Sequence, residues 1–247
     1  MKLRLDQLLV RRGLVESRER AQALIMAGQV DLDGRAASKA GTMVSEHADV
    51  KVIGPDHPWV SRGGVKLAHA LDTFGIDVAG RLGLDIGAST GGFTDVLLSR
   101  GAPRVIAVDV GHSQLHWRLR TDPRVTVIEG LNARHLTPAH LPDLGAGAAI
   151  VTVDVSFISL ALILPPLLAV VAPGADLVAL VKPQFEAGRR DAPKGVVRDA
   201  AVHARVQAEI TMKAAAIGWT RLAVTPSPIV GAKGNREFLM HFTPGRP

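Results

Sequence analysis

Apolar positions follow two different rhythms along this chain. Over residues 3–27 they recur at helical spacing, first Leu5, Leu8 and Leu9, then Ala21, Leu24 and Ile25. Gly13 separates the two pieces, and Ser17 is placed to cap the second. Gln29-Val30-Asp31-Leu32-Asp33-Gly34 alternates as a strand closed by an Asp-Gly turn, and residues 49–53 form a second short strand. The Gly54-Pro55-Asp56-His57-Pro58 stretch then marks a boundary. It separates a small α+β domain, 1–54, from a larger one, 61–247, with 55–60 as linker. Beyond it, short apolar runs alternate with helical segments. Strands are predicted at 82–86, 104–110, 125–128, 148–154, 175–181, 219–225 and 237–242, and helices at 93–100, 114–120, 159–171 and 200–218. That alternation is α/β, a Rossmann-like, doubly wound sheet of seven strands, which binds ligands at the carboxyl edge of its strands.

The first of these strands runs into Gly87-Ala88-Ser89-Thr90-Gly91-Gly92-Phe93 and a helix. A glycine turn ahead of a helix lets backbone N–H groups approach a ligand. A nucleotide phosphate loop would need Gly-Lys-Ser/Thr, and no lysine is present. A dinucleotide loop would put glycine at 89, where serine stands. Asp85, at the strand end, would repel a pyrophosphate but attract the cationic amino-acid end of S-adenosylmethionine. Asp109 ends the next strand, where a carboxylate can take both ribose hydroxyls. Asn132 either meets the adenine or simply makes the turn before Ala133. The candidate contacts to S-adenosylmethionine are therefore Asp85, Gly87, Ala88, Ser89, Gly91, Gly92, Phe93, Asp109 and Asn132.

Composition narrows the chemistry. The chain has no cysteine, which excludes disulfides, thiolate metal sites and the nucleophile usually needed to methylate carbon 5 of a pyrimidine. No metal is expected. The Asn/Asp-Pro-Pro-aromatic corner of amine methylases is replaced by Asp154-Val155-Ser156-Phe157. What remains at the sheet edge is charged: Lys66, Asp154, Lys182 and Glu237. Lys182 closes the run Leu177-Val178-Ala179-Leu180-Val181, so it stands at the carboxyl end of a central strand, facing the ligand crevice. Two amines crowded in a partly desolvated pocket hold their protons less firmly, so one of them can take a proton from a hydroxyl. Which of the two does so stays open. The arrangement suits a ribose 2′-hydroxyl.

Charge suggests the partner. Lys and Arg number 29 against 23 Asp and Glu, a net +6, and the excess sits at both ends of the chain. Lys2, Arg4, Arg11, Arg12, Arg18 and Arg20 lie on or beside the two N-terminal helices and form a candidate phosphate-contacting face. Few aromatics accompany them, which favours backbone or shape recognition over base stacking. Arg4 and Asp6 break any signal-peptide core, and the most apolar stretch, 160–171, is interrupted by Pro165-Pro166. A cytoplasmic protein without a membrane partner is expected.

Lys66, Asp154, Lys182 and Glu237 resemble the Lys-Asp-Lys-Glu tetrad of FtsJ-type ribose 2′-O-methyltransferases. The segments 59–66, 84–93, 153–160, 181–186 and 233–238 resemble the TlyA family of rRNA methyltransferases, historically also called hemolysin A. Arg4-Leu5-Asp6-Gln7-Leu8-Leu9, Ser17-Arg18 and Ala27-Gly28-Gln29-Val30 resemble the signature of an S4-type RNA-binding domain. The resemblance implies 2′-O-methylation of a cytidine in rRNA, with ribosomal subunits rather than DNA or membranes as partners. Arg4, Arg11, Arg12, Arg18 and Arg20 are the candidate RNA contacts. Only ten residues follow Glu237, whereas members acting on both subunits tend to carry a C-terminal extension, which points to the large subunit. Two other classes compete: a non-enzymatic RNA-binding protein of ribosome assembly, and a membrane-active hemolysin.

Overall fold

A computed structural model describes residues 2–15, 17–26, 28–53, 57–188 and 190–245. The chain divides into two compact units, Met1–Pro58 and Trp59–Pro247. Of the expected boundary, Gly54, Pro55 and Asp56 lie outside the described residues, as does Ala27 of the S4-like signature. Trp59 and Val60, expected in the linker, belong to the second unit. Trp59 packs on its core, and the Val60 N–H donates to Asp95 Oδ2 at 2.8 Å.

The first unit runs β1 (Lys2–Arg4), α1 (Leu5–Arg11), α2 (Arg18–Met26), β2 (Val30–Leu32), β3 (Arg35–Ala36), β4 (Met43–Ser45) and β5 (Val50–Val52). Ser17 Oγ accepts the Arg20 N–H at 3.1 Å, so the expected cap is in place. Leu5, Leu8 and Leu9 of α1 meet Ala21, Leu24 and Ile25 of α2 over one small core. β2 pairs antiparallel with β3 and β5, and β1 with β4. Asp33 and Gly34, at φ +53° and +81°, make the two-residue turn between β2 and β3 that the Asp-Gly pair predicts. β1, β3 and β4 were not expected. At two or three residues each they are too short to show an alternation.

The second unit runs α3 (Gly63–Phe74), β6 (Gly83–Ile86), α4 (Gly92–Ser99), β7 (Val105–Val108), α5 (Trp117–Arg120), β8 (Val125–Ile128), β9 (Ala148–Val153), α6 (Leu160–Leu167), β10 (Val171–Val181), α7 (Pro183–Glu186), α8 (Ala200–Ala216), β11 (Trp219–Pro226) and β12 (Phe238–Pro244). Its seven strands lie in the order β11-β12-β10-β9-β6-β7-β8. β12 is antiparallel to both neighbours, and β8, β7, β6, β9 and β10 are parallel. Parallel strands are covered on both faces, which is why Val105–Val108 reads as an unbroken apolar run. One face packs Leu84, Ile86, Ile106 and Val108 against α6 and α8. The other packs Val105, Ala107, Ile150 and Val178 against α3 and α4. The strand order turns back beside β6, and the crevice of such a sheet opens there.

Some expectations need correction, among them the helix over 114–120, which forms only at Trp117–Arg120. The sequence reading missed α3, whose Gly63-Gly64 start carries no capping side chain. The helix expected over 159–171 stops at Leu167, because Val171 is taken into the sheet opposite Ala148.

Candidate active site

Between β6 and α4 the loop leads into the first-turn amides of a helix, which have no partners within it. Two glycines allow the chain to take this path. Gly87 has φ +79°, and a Cβ there would lie 2.5 Å from the Asp154 carbonyl oxygen. Gly91, at φ +97°, lies hard against Leu115 and Leu119. Ser89 also adopts a positive φ, and its N–H donates to Asp109 Oδ2 at 2.7 Å. Asp109 Oδ1 accepts the Gly111 N–H at 2.7 Å, so this one carboxylate ties the loop to the end of β7.

Asp109 and Asn132 both line a cavity of about 770 Å³, with Val110, Leu162 and Phe185 among its walls. Asn132 also makes the turn, its Oδ1 accepting the Arg134 N–H at 3.1 Å. Ala88 and Phe93 are nearly buried, and Phe93 belongs chiefly to the apolar layer beneath the loop.

Asp85 does not reach the crevice. It is wholly buried, with Oδ2 accepting from Thr94 Oγ1 at 2.7 Å and Oδ1 from Thr152 Oγ1 at 2.8 Å. Burial raises its pKa to about 6, against the lowering effect of the two hydroxyls. Direct contact with a cationic ligand is thereby corrected. The carboxylate pins α4 and β9 behind the loop.

The four charged residues expected at the sheet edge come together as two ion pairs. Lys66, in the first turn of α3, holds Glu237 at 2.6 Å. Lys182, following β10, holds Asp154 at 2.5 Å and donates to Ser156 Oγ at 2.8 Å. The side chains of Lys66, Glu237 and Lys182 are 11%, 3% and 12% exposed. Lys66, Asp154 and Lys182 line a cleft of about 490 Å³ together with the glycine loop and residues 229–233. Glu237 sits beneath this last segment, where Gly231 leaves room for its carboxylate. The cleft and the larger cavity share Gly87, Ser89, Asp154 and Ser156, so they adjoin.

Two residues of the sequence motifs take positions that the sequence reading did not assign. Phe157 is 90% exposed at φ +64°, its ring 4.9 Å from that of Phe185 on the cavity wall. Glu186 accepts the Leu160 N–H at 2.8 Å and Ser159 Oγ at 2.6 Å, joining α7 to the start of α6. The signal for both lay in the segments 153–160 and 181–186, which carry the family resemblance but were not given roles for Phe157 or Glu186.

In the first unit, the basic face is partly committed to the fold. Arg4 donates twice to the buried Asp6, at 3.0 and 2.9 Å, and Arg18 and Gln22 donate to it as well. Arg12 reaches the carbonyls of Ala48 and Glu46, and Arg11 lies 3.8 Å from the Glu46 carboxylate. Arg20 is exposed.

The profile of FtsJ-like methyltransferases matches residues 59–243, and that of the S4 domain matches residues 3–50. A 16S/23S rRNA (cytidine-2′-O)-methyltransferase TlyA from Mycobacterium tuberculosis is 49% identical over 96% of this chain and 88% of its own. Hemolysin A of Brachyspira hyodysenteriae is 40% identical over 97% and 99%. A solved structure from Streptococcus thermophilus, provisionally named a hemolysin, superposes with a TM-score of 0.79 at 43% identity, covering 99% of this chain and 89% of that one.

Proposed function

This chain belongs to the TlyA family of FtsJ-like methyltransferases, and from that membership we propose that it methylates the 2′-hydroxyl of a cytidine ribose in ribosomal RNA, using S-adenosylmethionine. The observation that carries the reading is the pair of ion pairs, Lys66–Glu237 and Lys182–Asp154, on a cleft that adjoins a nucleoside-sized cavity at the glycine loop.

The residues present fit the cofactor. Each oxygen of Asp109 already accepts one amide and has a further lone pair for a ribose hydroxyl. Asn132 and the apolar wall beside it suit the adenine, and the amides at the start of α4 suit a carboxylate. When bound, S-adenosylmethionine supplies an electrophilic methyl on a sulfonium.

The chain's own residues then deal with the hydroxyl. Lys66, fixed by Glu237, donates to the ribose oxygen and orients its lone pair. In its neutral form, after releasing a proton to solvent, Lys182 Nζ would take the proton of the hydroxyl as the methyl group is transferred. Asp154, 2.5 Å away, stabilises the ammonium so produced.

The hemolysin name of some relatives does not favour a lytic role. Among the described residues no helix is long and apolar enough to cross a membrane. A relic cofactor site in a mere RNA-binding protein is disfavoured by four charged side chains still paired over the cleft.

Mapping ribose methylation on 16S and 23S rRNA from cells with and without the gene tests the proposal. A cytidine 2′-O-methyl that disappears with the gene and returns with the wild-type copy is expected. Identical maps would overturn it.

A further inference from the structure

Beside the cleft, residues 191–199 and Lys233 enclose an open hollow of about 630 Å³. Two lysine corners of the same shape frame it. Lys194 has φ +55° and ψ +20°, and Lys233 has φ +56° and ψ +20°, each followed by a glycine at positive φ. Left-handed backbone is strained for lysine, and glycine or asparagine would take it more easily. Two lysines kept in that conformation suggest that their ammoniums are used.

A buried amide joins the corners. Asn235 is 1% exposed; its Nδ2 donates to Gly195 O at 3.0 Å and Ala232 O at 2.9 Å, and its Oδ1 accepts the Val197 N–H at 3.0 Å. The Lys233 ammonium donates to Lys194 O at 3.2 Å, so it lies over the first corner. Lys233 also lines the catalytic cleft, so the hollow adjoins it at this residue.

Electrostatics favour an anion here. Arg198 adds a third cation, and among the described residues no carboxylate forms an ion pair with Lys194, Arg198 or Lys233. The two acids of the hollow are engaged elsewhere. Asp191 pairs with Arg205, and Asp199 caps α8 through the Ala201 N–H at 2.8 Å.

We propose that this hollow is a phosphate subsite that grips the RNA backbone next to the target ribose, with Lys194 and Lys233 as its ligands and Asn235 as the residue that positions them. The subsite rests on the RNA-methylating reading of the cleft, which it extends to a second point of contact. It would hold the strand in register while the base and ribose enter the site.

Glycine substitution tests this directly, because it removes the charge and suits the backbone. Lys194→Gly and Lys233→Gly, singly and together, are measured in the full-length protein against ribosomal RNA by filter binding over a salt series, with thermal melts and S-adenosylmethionine calorimetry alongside. RNA affinity should fall about tenfold in the double variant. The slope of log K against log salt should become shallower by about one per lysine removed, with melting temperature and cofactor affinity held. Lys194→Arg and Lys233→Arg should restore binding. Unchanged slopes, or arginine variants as weak as the glycine ones, would overturn the subsite while leaving the methylation reading intact. A lysine-dependent slope in a protein that transfers no methyl group would keep Lys194 and Lys233 as phosphate contacts but overturn the methylation reading, and with it their placement beside a target ribose.

Discussion

Each unit of the chain buries one aspartate to zero exposure, and the two units accommodate that carboxyl in different ways. In the first, Asp6 receives Arg4, Arg18 and Gln22. The hydrogen bond from Arg4, above all, holds its pKa far below the usual carboxylate range. In the second, Asp85 receives the hydroxyls of Thr94 and Thr152 and the Thr94 N–H but no cation, and burial pushes its pKa up to about 6. Two aspartates without exposed surface are thus shifted in opposite directions, because guanidinium charge outweighs desolvation at Asp6, whereas Asp85 lies deeper and hydroxyl dipoles offset its burial only in part. The contrast also sorts charged groups by task. In the first unit several arginines are spent on their own fold. In the second, the paired charges at 66, 154, 182 and 237 line or support a cleft, and the buried acid behind them is a strut.

If that sorting is right, the largest effect follows from a charge facing the cleft. Lys182→Ala should lower kcat by about a thousandfold or more, equivalent to about 4 kcal/mol on the barrier, as expected for loss of a proton acceptor. The melting temperature should fall by only a few degrees, from the loss of Asp154's partner, and the cofactor should still bind. Turnover within tenfold of wild type in a single-turnover methylation assay would remove Lys182 from the chemistry.

Asp85 comes next, and its signature is pH. Below about pH 4 the group is protonated both folded and unfolded. As pH rises towards 6 the unfolded chain ionises while the folded one keeps its proton, so this group's contribution to stability is lost across that window. The loss amounts to at most about 3 kcal/mol. Asp85→Asn has no proton to lose, and the threonine hydroxyls can turn to serve an amide. Its stability relative to wild type, from urea unfolding, should rise between pH 4 and 6. A difference that stays flat would show that Asp85 ionises as freely folded as unfolded.

Asp6 should give the opposite sign at smaller size. Its folded pKa is depressed, so its contribution is present above about pH 4 and lost as pH falls further. Asp6→Asn should cost about 2 kcal/mol at neutral pH, held down because Arg4 and Arg18 are 41% and 49% exposed. The cost should shrink on acidification. A cost of Asp6→Asn that instead grows as pH falls would break the comparison.

The two aspartates also mark what a sequence can show. The βα alternation was legible because buried parallel strands read as apolar runs, and Asp154 and Lys182 were legible because strand ends are where such a sheet binds, whereas Lys66 stands on a helix that the spacing did not reveal. Burial of Asp85 was not legible, since Thr94 and Thr152 reach it only once α4 and β9 pack beside β6. The basic face of the first unit looked like one surface for the same reason. Nothing in the spacing of Arg4, Asp6 and Arg18 tells that they meet. Positive φ at Phe157, Lys194 and Lys233 is likewise set by tertiary structure, against local preference.

Asp109 offers a third way to hold a carboxylate, by backbone amides, and the smallest of the expected effects. Ser89 and Gly111 each donate to one of its oxygens, which fixes the loop before any ligand arrives. Asp109→Asn keeps one acceptor and turns the other into a donor, which faces an amide N–H that it cannot serve. The loop should loosen, and one ribose hydroxyl should lose a charged partner. Hydrogen bonds to charged groups contribute about 1.5–3 kcal/mol, but part of this is recovered by the remaining carbonyl. S-adenosylmethionine affinity should therefore weaken by about 1–2 kcal/mol, close to tenfold, in calorimetry. RNA affinity should be untouched, since the substitution lies in the cavity, away from Lys194 and Lys233. Equal cofactor affinity in Asp109→Asn and wild type would mean that the carboxylate serves only the loop, placing Asp109 with Asp85 among the struts.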